Sequence, residues 1–125
     1  MADLTYKQLQ KAVSDLAQDV MQHAGAVLRD AQTVDNEAKD TARIAEVIAA
    51  IGVDAATVAE TQQLATITAG VSQAAIAYAS AGDTTSKAAQ AAGAQAKASH
   101  GGIYEAYNRA TVDISAMKPQ WLSKE

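Results

Sequence analysis

The stretch that decides the fold is IAAIGVDAATV, residues 48–58. Gly52 follows a run of helix-forming residues and is typical of the residue that ends a helix. Asp54 is a good N-cap for a second helix, and Val53 and Val58 have the spacing of a hydrophobic staple around it. A turn as short as 52–54 makes the second helix antiparallel to the first. The stretch therefore predicts an all-α helical hairpin.

Upstream of the turn, the sequence predicts one long helix over about 5–51. Thr5 is placed to cap its start with Gln8 at the capping-box spacing, and Leu4 and Leu9 have staple spacing. Apolar and small residues then recur in steps of three and four, as in a coiled coil, with one extra four-residue step after Val20 that predicts a stutter. This predicted row consists of Leu9, Val13, Leu16, Val20, Ala24, Val27, Ala31, Val34, Ala38, Thr41, Ala45 and Ile48.

Downstream of the turn, a second row with the same steps predicts a helix over about 54–99. The row consists of Leu64, Ile67, Val71, Ala74, Tyr78, Ala81, Thr85, Ala88 and Ala92. Residues 100–102 read His-Gly-Gly, which predicts that the helix stops there. The chain thus divides into a hairpin over 1–100 and a C-terminal tail over 101–125.

Two places along these helices could interrupt them. Asp83 is placed to cap a new helix after Gly82, but the second row keeps its phase there, so we expect a continuous arm or a kink at 82–86. The alternative architecture is a compact four-helix monomer with breaks near Asp35 and Gly82. Because no proline interrupts either row, we expect the hairpin.

Composition excludes several classes of protein. A chain of 125 residues is the size of one domain, and the absence of cysteine excludes disulfide scaffolds, zinc fingers and thiol nucleophiles. The net charge of −4 argues against a dedicated nucleic-acid binder, which needs a basic face. The first residues carry no basic, apolar signal segment, so we expect a cytoplasmic location, with signal-independent export left open.

The uncharged stretch 61–82 is long enough to span a bilayer. Gln62, Gln63 and Gln73 would each be costly in hydrocarbon. A helix that neighbouring helices cover on most sides is the better interpretation, and we expect no membrane partner.

Self-association follows from a second apolar row on each arm, which includes Met21 and Leu28 on the first and Ile76 on the second. A helix that is apolar on two flanks needs more than one neighbour, and two hairpins joined in a homodimeric four-helix bundle would supply it. A tail that folds back over these rows is the alternative. The residues predicted to form the self-association seam are Leu16, Val20, Val27, Val34, Leu64, Ile67, Val71 and Tyr78.

The tail holds three of the five aromatic residues, namely Tyr104, Tyr107 and Trp121. Tyrosine and tryptophan are frequent anchors of protein interfaces. We therefore predict that Tyr104, Tyr107, Trp121 and Leu122 bind an unidentified protein partner. The alternative is that the tail packs on its own hairpin or on a second copy.

Residues for chemistry are scarce. His23 and Asp19 lie one helical turn apart, but they supply two metal ligands where a site needs three or four. No serine or threonine has a histidine placed to activate it, and phosphate-binding glycine loops are absent from the sequence. We therefore predict no catalytic residue, no cofactor and no metal, and a protein that is not an enzyme. A small-ligand or metal-binding bundle that uses His23 and Asp19 is the alternative.

Two resemblances bear on function. The hairpin resembles in shape the small helical-hairpin substrates of type VII secretion, although its turn reads Ile-Gly-Val-Asp in place of their Trp-x-Gly, and that resemblance implies an exported hairpin. The strings Gln73-Ala-Ala-Ile-Ala-Tyr-Ala, His100-Gly-Gly-Ile-Tyr-Glu-Ala and Trp121-Leu122 resemble small alanine-rich proteins encoded beside bacterial conjugal-transfer genes. This second resemblance covers roughly the second half of the chain and implies an accessory role in DNA transfer. The function predicted is a self-associating scaffold that presents its C-terminal segment to a partner.

Overall fold

The fold is an all-α helical hairpin, as the sequence predicts. The computed structural model describes residues 5–109, which form two helices packed against each other. Helix α1 spans Tyr6–Ala50 and helix α2 spans Ala55–Arg109. No strand occurs within this described range.

Helix α1 begins with the predicted capping box. The backbone N–H of Gln8 donates to the Thr5 hydroxyl oxygen at 3.2 Å, and the backbone N–H of Thr5 donates to the Gln8 side-chain oxygen at 2.9 Å. Two N–H groups that the helix itself cannot pair are satisfied in this way. The hydrophobic staple predicted beside this cap pairs Leu9 with Leu4, and Leu4 lies outside the described residues.

The turn between the helices combines a glycine C-cap with an aspartate N-cap. Gly52 has a φ of 85°, a conformation that L side chains rarely adopt. Its N–H donates to the carbonyl of Ala49 at 3.2 Å, and the N–H of Val53 donates to the carbonyl of Ile48 at 3.0 Å, which together form a Schellman motif. Asp54 then caps α2, so the prediction for this turn is confirmed.

Asp54 caps α2 through two hydrogen bonds from one residue. Its Oδ1 accepts from the backbone N–H of Thr57 at 2.9 Å, and its Oδ2 accepts from the Thr57 hydroxyl at 2.7 Å. The backbone hydrogen bond is the larger cause, and the hydroxyl the next, of a pKa for Asp54 that lies below its ordinary value. The ionised form is favoured because both donors point at the carboxylate.

The described residues divide into two compact units. In the unit formed by residues 21–83, the fully buried side chains between the helices are all small. The hydroxyl of Ser72 is buried there and donates a 2.8 Å hydrogen bond to the carbonyl oxygen of Ala31. The buried residues of this unit recur every seven positions; they are Ala24, Ala31, Ala38 and Ala45 on α1 and Ala65, Ser72 and Ala79 on α2.

The second unit contains residues 5–20 and 84–109 of the described range and repeats this arrangement. The buried hydroxyl of Ser86 donates to the carbonyl oxygen of Ala17 at 2.7 Å. The side-chain amide of Gln10 donates to the carbonyl of Gly93 at 3.0 Å. Ser86 and Ala17 each lie two heptads from Ser72 and Ala31, so the same antiparallel register holds in both units.

The predicted row of α1 has the right phase at Val13 and from Val20 onward, and the wrong phase at Leu9 and Leu16. Val20 and Val27 are half-buried and alternate with buried Ala24 and Ala31. Leu16, however, is 60% exposed, and Ala17 beside it is 1% exposed. The predicted stutter is therefore absent from the described helix. The buried residues keep a spacing of seven from Ala17 to Ala24 and Ala31, whereas Leu16 would have broken it.

The predicted row of α2 has the right period but is displaced by one residue. The buried residues Ala65, Ser72 and Ala79 each directly follow a predicted one. One position along a helix turns the side chain by about 100°. The prediction placed the larger apolar residues in the seam, but the helices approach so closely that alanine and serine occupy it.

The predicted stop of α2 near residue 99 is wrong, because the helix continues to Arg109. Neither Gly101 nor Gly102 has a positive φ, and glycine ends a helix most readily where it adopts that conformation. The helix-compatible residues after them extend the helix instead. The helices also pass Asp35 and residues 82–86 without a break, so the described chain does not adopt the four-helix alternative.

We expect Ala79→Leu to destabilise the fold by about 1–3 kcal/mol, because the larger side chain would force the two helices apart. The matched variant Ala77→Leu introduces the same side chain at an exposed position of α2 and should change stability by less than about 0.5 kcal/mol. Urea denaturation followed by circular dichroism measures both. Equal effects of the two variants would contradict the close seam.

We expect the difference in stability between the native chain and Asp54→Asn to depend on pH. Asparagine also caps helices well, but it carries no charge to titrate. Since the pKa of Asp54 is lower in the folded chain, its extra stabilisation is fully present above the unfolded value and is lost as pH falls through the folded value. Melting temperatures of both proteins from pH 7 to pH 2 should therefore converge below about pH 4. A gap that persists unchanged to pH 2 would contradict this origin.

Candidate functional site

The most prominent candidate site is a row of exposed apolar side chains on α2, here called the α2 row. Leu64 and Val71 are each 56% exposed, Ile67 is 57% exposed and Tyr78 is 66% exposed. A soluble monomer rarely leaves a contiguous strip of large apolar side chains uncovered, and such strips mark interaction surfaces. The α2 row consists of Leu64, Ile67, Val71, Ala74, Tyr78 and Ala81.

The α2 row is exposed because of the phase of the hairpin contact. Leu64, Val71 and Tyr78 each directly precede a buried residue, so they lie on one flank of the seam. The spacing of seven residues that brings Ala65, Ser72 and Ala79 into the seam also aligns the residues before them. The exposed α2 row therefore follows from the register in which the two helices pack.

The α2 row lies within a segment that carries no charge. Residues 61–82 contain no Asp, Glu, Lys or Arg, and Glu60 and Asp83 are the first charged residues on either side. The charged face is instead found on α1, where Lys11 pairs with Asp15 and Lys39 pairs with Asp35, both at 2.6 Å and exposed. Such pairs add little stability, but they keep that face hydrated.

The opposite flank of the seam has a narrower apolar groove. Met21 and Leu28 of α1 and Ile76 of α2 line it, together with Ala24, Gly25 and Ala79. Each of the three large residues lies four positions after a buried one, which puts them on the flank away from Leu64, Val71 and Tyr78. The groove also contains Ser80 and Asp83, so it is less apolar than the α2 row.

The residues predicted for a self-association seam fall into two groups. Val20, Val27 and Val34 are half-buried in step with the alanines of α1, and they belong to the hairpin's own contact. The others are exposed and available to a second molecule; they are Leu16, Leu64, Ile67, Val71 and Tyr78.

The residues predicted to bind a partner are only partly described. Tyr104 and Tyr107 are half-buried in the last turns of α2, so they belong to the helix and not to a separate tail. Trp121 and Leu122 lie outside the described residues. The aromatic ring of Tyr6 stacks on His100 at a centroid distance of 3.8 Å, a contact near this end of α2 that the sequence reasoning missed.

The structure shows no arrangement for metal chemistry among residues 5–109. His23 and Asp19 are both exposed, and no group of three or more potential His, Cys, Asp or Glu ligands comes together in this range. Neither described helix is long and apolar enough to cross a membrane.

Sequence reasoning also missed Ser72 and Ser86, the two serines of the seam. Their signal was their spacing of two heptads, with Ala79 midway between them. Small residues at heptad spacing predict a helix contact just as large residues do, but with a shorter distance between the helix axes.

Comparisons of the chain with protein families, with curated proteins and with solved structures find no match.

Proposed function

We propose that this protein is a non-enzymatic helical scaffold, which self-associates through the α2 row and presents its C-terminal segment to a protein partner. The observation that carries the proposal is the exposure of Leu64, Ile67, Val71 and Tyr78 on one flank of a hairpin that buries only small side chains. The acceptor of the α2 row is a second copy of the same chain.

The energetics of burial support association. The buried apolar residues of the described chain are all alanines, and each alanine buries about one methyl group, worth about 0.8 kcal/mol. Full burial of one Leu, Ile or Val contributes about 1.5–3 kcal/mol. Full burial of Leu64, Ile67 and Val71 would therefore contribute a hydrophobic stabilisation comparable to that of the buried alanines of the seam.

The C-terminal segment is the part proposed to meet another protein. Tyr104 and Tyr107 lie in the last turns of α2, and the residues that follow include Trp121. Aromatic residues supply much of the binding energy at protein interfaces. Roles in conjugal transfer or in export by a type VII pathway stay predictions from resemblance. The small-ligand alternative stays a prediction from the spacing of His23 and Asp19.

Light scattering on a size-exclusion column tests self-association. We expect the native chain to have a mass near twice 12.9 kDa. The double variant Leu64→Gln/Val71→Gln should be monomeric and still helical, because glutamine removes the apolar contact but forms helices nearly as well as leucine.

The matched control is Met21→Gln/Leu28→Gln. It makes the same kind of change at two residues with the same spacing of seven, on the other flank of the seam. We expect this variant to remain dimeric. A monomeric native chain, or a control that dissociates while the α2-row variant stays dimeric, would refute the proposed surface.

A chain shortened after Arg109 tests whether the C-terminal segment is presented or is part of the assembly. Because both described helices and the hydrogen bonds between them lie within residues 6–109, we expect the shortened chain to remain helical and dimeric. Circular dichroism and light scattering measure the two properties. Conversion to a monomer would show that the segment belongs to the self-association contact, and would contradict its display.

A further inference from the structure

We propose that the second copy binds the α2 row in an antiparallel orientation, with a twofold axis that passes beside Val71. This inference rests on the proposed self-association and adds its geometry. Each α2 helix would then pack against the α2 helix of the other copy, and the two Val71 side chains would meet at the axis.

The pattern of side-chain sizes supports this axis. Leu64 and Tyr78 lie seven residues on either side of Val71, so an antiparallel pair places Leu64 of one copy beside Tyr78 of the other. Ile67 then lies opposite Ala75 of the other copy and beside its Ala74, so a large side chain meets small ones. Facing pairs of large and small residues allow two helices to pack closely.

The charges support the same axis. The uncharged segment 61–82 is centred close to Val71, so an antiparallel pair superposes it on itself along its whole length. No charged side chain of either copy is then buried against this segment, and burying one without a partner would be costly. A substantially shifted axis would place Glu60 or the residues beyond Asp83 against the apolar row.

Glu60 distinguishes the two orientations. It lies four residues before Leu64, in line with the α2 row, and it is exposed. A parallel pair in register would place the two Glu60 carboxylates side by side, and like charges in that position repel. In the antiparallel pair, each Glu60 lies near Ala81 and Gly82 of the other copy. The adjacent Asp83 lines the groove on the other flank of the seam, so the two carboxylates do not face each other.

The placement of the uncharged segment about Val71 favours a second copy as the occupant. A twofold interface uses one patch twice, so its residues must complement themselves across the axis. A different protein would place no such demand on the order of residues along α2. Leu64 and Tyr78 at equal distances from Val71, in an uncharged segment centred close to that residue, meet the demand of a twofold contact.

Disulfide cross-linking tests the axis directly, because the chain contains no cysteine. The variants Val71→Cys, Leu64→Cys and Tyr78→Cys are made singly, with Ala77→Cys as the control on an exposed position outside the row. Each is examined by light scattering while reduced, then oxidised with diamide and separated on a non-reducing gel. A disulfide requires the two Cα atoms to come within about 7 Å, so it reports close approach.

We expect more than half of the Val71→Cys chains to cross-link, and at least fivefold less product from each of the other three variants. Leu64→Cys refolded together with Tyr78→Cys should form the mixed disulfide, which mass spectrometry identifies. Self-linking of Leu64→Cys and of Tyr78→Cys would indicate a parallel pair and overturn the inference. Reduced dimers that do not cross-link at Val71→Cys would overturn the axis but leave self-association standing, whereas monomeric reduced variants and a monomeric native chain would refute both.

Discussion

The hydrogen bond from the Ser72 hydroxyl to the carbonyl oxygen of Ala31, 2.8 Å long, joins two helices that lie close together. A serine side chain is short, so it reaches the opposite backbone only where nothing larger than a methyl group separates the helices. The carbonyl of Ala31 can accept this bond in addition to its helical one, because a carbonyl oxygen has two lone pairs. Ser86 makes the same contact with Ala17 at 2.7 Å. These two bonds couple the register of the helices to a seam of small residues.

That seam determines what the rest of the hairpin must expose. Alanine and serine allow close packing but bury little apolar surface, so most of the chain's larger apolar side chains remain outside the contact. The heptad spacing then gathers Leu64, Val71 and Tyr78 into one line on α2. The exposed line is the surface through which we propose that the hairpin binds a second molecule. The α2 row is thus exposed because small side chains occupy the seam.

Much of the fold was predictable from the sequence because local signals agreed. Thr5 and Gln8, Gly52 and Asp54 each made the cap that their residue types favour. On α1 the valines alternate with alanines, so the row from Val20 onward was assigned correctly. On α2 the period was predictable but the phase was not. Two adjacent rows on α2, one through Leu64 and one through Ala65, have the same spacing of seven residues. The larger side chains favoured the row through Leu64 as the helix contact, but only the smaller residues permit close helix packing.

The candidate site was predictable in its members but not in its position relative to the contact between the two helices. Leu64, Ile67, Val71 and Tyr78 were selected from the sequence as a seam for self-association, together with Val20, Val27 and Val34. The sequence alone could not separate the contact within one hairpin from the contact between hairpins, because both require apolar residues at heptad spacing. The extension of α2 through Gly101 and Gly102 was also missed, since a glycine pair is compatible with a helix when its φ angles stay negative.

The reactivity of single cysteines at two adjacent positions tests the phase of α2 most directly. Tyr78→Cys and Ala79→Cys are labelled with a maleimide at a concentration low enough to keep the chains monomeric, as light scattering verifies. We expect the thiol introduced at position 78 to react at a rate close to that of the unfolded chain, and the thiol at position 79 to react at least tenfold more slowly. The reverse order, or equal rates in the folded chain, would contradict a seam of small residues and the exposed row that results from it.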